Sequence, residues 1–164
     1  MPRMTPDGIF KVHFVPAITV ATPKMTEIAA GMELTPFLAP AGLSLPDEGS
    51  EADVSDMSSE RDVSAPSTIS GNPEGEFWRD SETADDDAWT TLVRGATGYL
   101  VVALFGGTTT TTYAIKTGDK VDIWPVRVSS RNLARVARGE AMRFTAMFAL
   151  SNAPTYQMTT IAGP

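Results

Sequence analysis

VRVSSRNLARVARGEAMRFTAMFAL, residues Val126 to Leu150, decides how the chain is read. Both of its ends have strand character. In MRFTAMFAL, Met142, Phe144, Ala146, Phe148 and Leu150 fall on one face, and Arg143, Thr145, Met147 and Ala149 on the other. Between the ends the chain gathers its basic residues: Arg127, Arg131, Arg135, Arg138 and Arg143 lie within 17 residues. Arg131, Arg135 and Arg138 have the i, i+4, i+7 spacing of one helical face. SRNLARVARG therefore reads as one or two helical turns, or as an extended arm between two strands.

Upstream, DKVDIWPVRV reads as a strand with a bulge at Trp124-Pro125, where the apolar phase shifts by one. GGTTTTTYAIKTGD is a loop or hairpin tip without evident chemistry. GYLVVALFGG reads as a strand buried on both faces. SETADDDAWTTLVRGATG carries the clearest helix signal and predicts a helix from about Asp85 to Arg94. Thr83 or Asp85 would cap it, the Asp run suits its positive end, Trp89, Leu92 and Val93 form its apolar stripe, and Gly95 stops it. Nearer the start, Ile9 to Val15 is a strand. TPKMTEIAAG is a short helix capped by Thr22, with Pro23 in its first turn and Gly31 at its end. MELTPFL is a strand edged by Pro36. GEFWRD, Gly75 to Asp80, and TYQMTTIA after the SNAP turn complete the set.

About seven short strands, one good helix and one short helix predict a mainly β fold: a β-sandwich or partly closed barrel with a flanking helix. The 164 residues form one domain, with a polar acidic loop region at about 44–73. Residues 47–87 hold 14 acidic and two basic side chains, a net −12, which leaves +5 on the rest of a chain whose total is −7. The Ser-, Pro- and Asp-rich part reads as a solvated loop, although Val54, Met57 and Val63 are spaced as if parts pair when docked.

Several chemistries are excluded. With no cysteine there is no disulfide framework, thiolate metal site or cysteine nucleophile. His13, the single histidine, would have to serve any triad, and its setting in IFKVHFV is that of an ordinary half-buried strand residue. There is no phosphate-binding glycine loop. Asp85–Asp87 lacks the spacing of a calcium loop. The expectation is therefore no enzyme, no metal and no cofactor. The opening MPRMTPDGIFKVHFVPA lacks the apolar core of a secretory signal, and YLVVALF falls short of the roughly 20 residues of a membrane helix. A soluble protein made inside the cell, without a membrane partner, is expected.

The arginines admit three readings. Nucleic-acid binding suits neither the acidic total nor the lack of aromatic residues between them. A solvated loop is the plain alternative. The third reading is complementarity with the acidic block on a neighbouring copy, where the guanidinium fork pairs well with carboxylates.

The third reading agrees with a resemblance. TPKMTEIAAGMELTPFL, the polar middle with SERDVSAPSTISG, DDDAWTTLVRG, GYLVVALFGG, GDKVDIWPVRV and ARGEAMRFTAMFAL occur in an order that resembles the major tail tube protein of long-tailed, siphovirus-type bacteriophages, those of actinobacterial hosts in particular. The resemblance implies a β-sandwich with a flanking helix, similar to the type VI secretion tube protein. It implies hexameric rings whose strands join into an inner barrel and which stack into a hollow tube that conducts DNA without specific binding. It also implies a place in the virion tail after synthesis in the host cytoplasm, with the tape measure and tail terminator as further partners. On this reading Arg131, Arg135 and Arg138 contact carboxylates among Asp47, Glu48, Glu51, Asp53, Asp56 and Glu60 of an adjacent subunit. The runner-up is a small β-sandwich binding module, carbohydrate-binding or capsid-decorating, with Trp78, Trp89 or Trp124 as its aromatic platform.

Overall fold

The computed structural model describes residues 10–46, 48–53, 64–80, 86–103, 114–134, 136–152 and 155–163. The described chain is mainly β, as its strand pattern predicts, with two five-residue helices. Its strands are β1 (Lys11–Val15), β2 (Met32–Glu33), β3 (Leu38–Ser44), β4 (Glu48–Asp53), β5 (Ser64–Ser70), β6 (Glu74–Trp78), β7 (Thr97–Ala103), β8 (Lys120–Leu133), β9 (Arg143–Leu150) and β10 (Thr155–Thr160). The helices are α1 (Met25–Ala29) and α2 (Asp87–Thr91). Seven strands run in the order β2-β1-β7-β8-β9-β6-β3, every pair antiparallel. β10 joins the same sheet by pairing with β8, and the sheet is not closed into a barrel. Among the described residues β4 and β5 pair only with each other.

β8 is the spine. Its first half lies between β7 and β10, and its second half pairs with β9. β9 ends at Leu150, opposite Val126, and β10 begins at Thr155, opposite Ile123. The two are one interrupted strand along a single edge of β8. Pro125 sits opposite the interruption, where only its carbonyl is engaged, by Ser151 N–H at 3.0 Å. A proline in a central strand has no N–H to give to the ladder, and the break falls where none is demanded.

The bulge expected at Trp124-Pro125 is not there. The pairs Leu100↔Trp124 and Tyr99↔Pro125 run in unbroken register, and the irregularities in the pairing of β8 lie between Val128 and Ser130, against β9, and between Thr155 and Thr159 of β10, opposite Ile123 and Val121. The apparent phase shift has another cause. Val121 and Ile123 are buried on one face of β8, and Trp124, Val126 and Val128 on the other.

The sheet accordingly carries two apolar clusters. The larger joins Val12, Phe14, Leu100, Val102, Trp124, Val126, Phe144 and Phe148 beneath Ala88 and Leu92. The smaller joins Val15, Val101, Ala103, Val121 and Ile123 to Ile28 of α1 and to Ile161. This two-sided burial explains the uninterrupted apolar run of β7. Each fully buried Phe, Leu or Ile contributes about 1.5–3 kcal/mol.

α2 is shorter than its pattern suggests. The N–H of Gly95, at φ +91°, donates to Val128 O at 2.8 Å, and Val128 N–H returns to Ala96 O at 2.8 Å. The chain is hooked onto β8 before another helical turn can form. Val93, expected in the apolar stripe, is therefore 43 % exposed. α1 starts after Lys24, later than the Thr22-Pro23 signal suggests, because Glu27 reaches back to the N–H of Lys24 at 3.0 Å. MELTPFL divides into β2, a 3-10 turn over Thr35–Phe37 containing Pro36, and the start of β3. No helix among the described residues is long and apolar enough to cross a membrane.

Candidate assembly surface

The end of β6, the start of α2, the far half of β8 and the start of β9 converge on one cluster. Arg79 follows β6, and its Nε and Nη2 donate to Asp86 Oδ2 at 2.8 and 2.6 Å. The Asp80 N–H donates to Asp86 Oδ1 at 3.2 Å. The Asp86 side chain is only 5 % exposed, so these donors replace the water its carboxylate has lost. Beside it, the guanidinium carbons of Arg79 and Arg131 lie 4.0 and 3.5 Å from the Trp89 ring centroid. Arg131 Nη1 also donates to the Trp89 carbonyl. Trp89 meets Phe144 edge-on at 5.1 Å, and Phe144 stacks on Phe77 at 5.4 Å. A continuous run thus leads from surface arginine into the core. Next to it Arg143 pairs with Glu76 at 3.2 Å, with its guanidinium carbon 5.4 Å from the Trp78 ring.

This places the predicted residues as follows. Arg131 is on β8, so SRNLARVARG takes the extended reading as far as Leu133. The Arg131 guanidinium is engaged within its own chain. Arg138 is exposed in the turn before β9. Glu48, Glu51 and Asp53 belong to β4, so the acidic block carries a paired strand where a solvated loop was expected. Asp47, Asp56, Glu60 and Arg135 lie outside the described residues, as do Ile9, Val54, Met57, Val63, Thr83, Asp85 and the whole threonine run.

Sequence reasoning missed Arg79, Asp86 and their joint hold on Trp89. The signal was there: FWRD precedes DDDAW by a few residues, and an arginine beside an aromatic residue faces an acidic run. The Asp run reads as helix capping, yet Asp86, at the N-cap, makes no side-chain cap bond and holds Arg79 instead.

Nothing in the cluster pairs a nucleophile with a base. His13 lies on β1, away from the arginines, half-buried in a small cavity with Lys11, Glu33, Ile28 and Ile115. Burial holds its pKa below the usual 6.5, against an opposing pull from Glu33 and with a smaller push from Lys11. Its Nδ1 has no hydrogen-bond partner among the described residues. No three His, Asp or Glu residues among those described are placed to hold a metal ion. The tryptophans offer little for a sugar platform: Trp124 is buried, Trp89 is covered by two guanidiniums, and Trp78 is half-buried beside Arg143.

No curated protein matches the chain. The family model described as "Phage tail tube protein" matches residues 1–163, nearly the full sequence. The chain belongs to the phage tail tube protein family, and its role is that of a structural subunit of the virion tail.

Proposed function

We propose that copies of this chain close into hexameric rings, and that the rings stack into a hollow tube through which DNA leaves the virion. The observation that carries this reading is the family match over residues 1–163. Physical features support it. The terminal strands of the sheet, β2 and β3, have one unpaired edge each among the described residues, and edges of this kind are protected when a neighbour covers them. Among the described residues β4 and β5 form a two-stranded sheet of their own, and the β4 sequence holds Glu48, Glu51 and Asp53. A net charge of −7 suits a wall along which phosphates slide without sticking.

Within the tube, Arg135 and Arg138 face carboxylates among Asp47, Glu48, Glu51, Asp53, Asp56 and Glu60 of an adjacent copy, and Arg131, which stays part-exposed over its own Trp89, adds its remaining donors to the same contact. Head-to-tail contacts between identical subunits propagate as filaments, which suits ring stacking. The tape measure and tail terminator are the further partners, the host is actinobacterial, and the subunit is made in the host cytoplasm.

Negative-stain electron microscopy of the purified chain over a concentration series tests the reading. Hollow tubes or stacked rings are expected. Monomers that persist when the protein is concentrated would overturn it and favour the small binding module instead.

A further inference from the structure

The hook that follows α2 also builds a cleft. Gly95 N–H donates to Val128 O and Val128 N–H to Ala96 O, so the chain just after Arg94 is laced to β8 beside Arg127. Arg127 is paired with Thr97 of β7 and Ala149 of β9, and its Nη2 lies 3.9 Å from where a Cβ on Gly95 would sit. The two arginines flank an open cavity of about 260 Å³, whose other lining residues are Gly95, Val128, Ser129 and Ala149. Among the described residues no carboxylate lines it. Arg94 and Arg127 are both exposed, and neither forms an ion pair among the described residues. The other described arginines differ. Arg79, Arg131 and Arg143 are engaged within the chain, and Arg138, at the β8–β9 tip, has the exposed Glu140 two residues away.

Two like charges in one cleft repel, and an oxyanion between them offsets the repulsion. Guanidinium forks suit such a ligand because each can bond two oxygens in one plane. The charges of the chain select which oxyanion. Duplex DNA is a continuous row of phosphates, and two arginines on a chain of net charge −7 neutralise too few of them. A side-chain carboxylate needs only the cleft itself. Each copy displays such groups: Glu74, Asp87 and Glu140 are exposed and form no ion pair among the described residues. We infer that the Arg94–Arg127 cleft receives a carboxylate side chain of a second copy. This rests on the self-assembly proposed above and names one of its contacts. Cleft and carboxylate are different patches of one surface, so the contact is head-to-tail.

The test uses the full chain. Arg94→Lys with Arg127→Lys keeps both charges and supplies amines. An equal mixture of ordinary and nitrogen-15-labelled copies of this variant is assembled and treated with a zero-length carbodiimide. Amide crosslinks that join position 94 or 127 of one label to an Asp or Glu of the other are expected. Arg94→Glu with Arg127→Glu should raise the concentration needed for assembly by about tenfold, while the urea midpoint of the monomer stays that of the parent. If the reversal lowers that midpoint, the crosslink alone decides. Tubes that form from the reversed variant at the parent's concentration, or crosslinks confined to single labels, overturn the contact and leave the tube reading standing. Parent-like assembly together with weaker retention of duplex DNA assigns the cleft to phosphate and also overturns it. A parent chain that stays monomeric overturns both the contact and the tube.

Discussion

The guanidinium carbon of Arg131 lies 3.5 Å from the centroid of the Trp89 ring, and the same side chain donates to the Trp89 carbonyl. One contact fixes the far half of β8 to α2. It also engages within the chain, part-buried, a cation that the sequence marks as a free surface charge.

Arg131→Ala is therefore expected to act first on the fold. It should lower monomer stability by about 1–3 kcal/mol, from a lost cation–π contact and a lost hydrogen bond to a charged donor. Arg131→Lys should recover only part of this, because an ammonium lacks the planar fork. Urea unfolding followed by tryptophan fluorescence measures both. Unchanged midpoints in both variants would show that the contact contributes nothing.

The buried carboxylate of Asp86 has the larger stake. Asp86→Ala leaves Arg79 beside an apolar cluster without its partner and should cost about 3–5 kcal/mol. Replacing both, with Arg79→Met and Asp86→Leu, should cost far less than the sum of the two single changes. A double-mutant cycle by thermal or urea unfolding gives the coupling, and additive single effects would contradict it.

His13 and Glu27 both lose stability toward acid. For His13 the folded pKa lies below its ordinary 6.5, chiefly through burial, so the unfolded chain takes up the proton more readily. Its contribution is complete above that ordinary value and is lost as pH falls through the folded one. The Glu27 carboxylate is held below its ordinary 4.5 by hydrogen bonds from the Lys24 N–H and then from Thr19. Its contribution is present above that value and disappears lower still. Melting temperatures between about pH 8 and pH 5 should fall less steeply in His13→Gln than in the parent. Equal slopes would remove the assignment to His13.

Gly98 holds β7 against β1. A Cβ there would sit 2.8 Å from Val15 O and 2.8 Å from the ring of Phe14. Gly98→Ala should destabilise by about 1–3 kcal/mol through overpacking, read from a urea midpoint. An unchanged midpoint would mean that β1 yields without cost.

Charge reversal at the tip separates assembly from folding. Arg135→Glu with Arg138→Glu leaves the Arg131–Trp89 contact in place. If these arginines face a neighbour's carboxylates, the concentration needed for assembly should rise by roughly two- to tenfold at low salt, and less at high salt. Sedimentation at two ionic strengths measures the shift. Equal values for parent and variant would exclude a role for this pair.

The sequence by itself determined the strand content, because side-chain alternation in MRFTAMFAL and the apolar runs of β7 and β8 are local properties of the chain. It also determined the existence and approximate place of both helices, and the separation of acidic and basic blocks. The tertiary structure decided what these segments meet. The phase shift at Trp124-Pro125 looked like a bulge because sequence cannot distinguish an extra residue from burial on both faces. Only the position of α1 and Ile161 behind β8 resolves it. The helix ended early, at Thr91, because the chain just beyond it is tied to β8 through Gly95, whose N–H found Val128, 33 residues away. Arg131 shared a helical spacing with Arg135 and Arg138, yet strand pairing with Ala146 set its backbone, and Trp89 set its side chain. These are long-range contacts, and their energies exceed the weak local preferences from which a sequence is read.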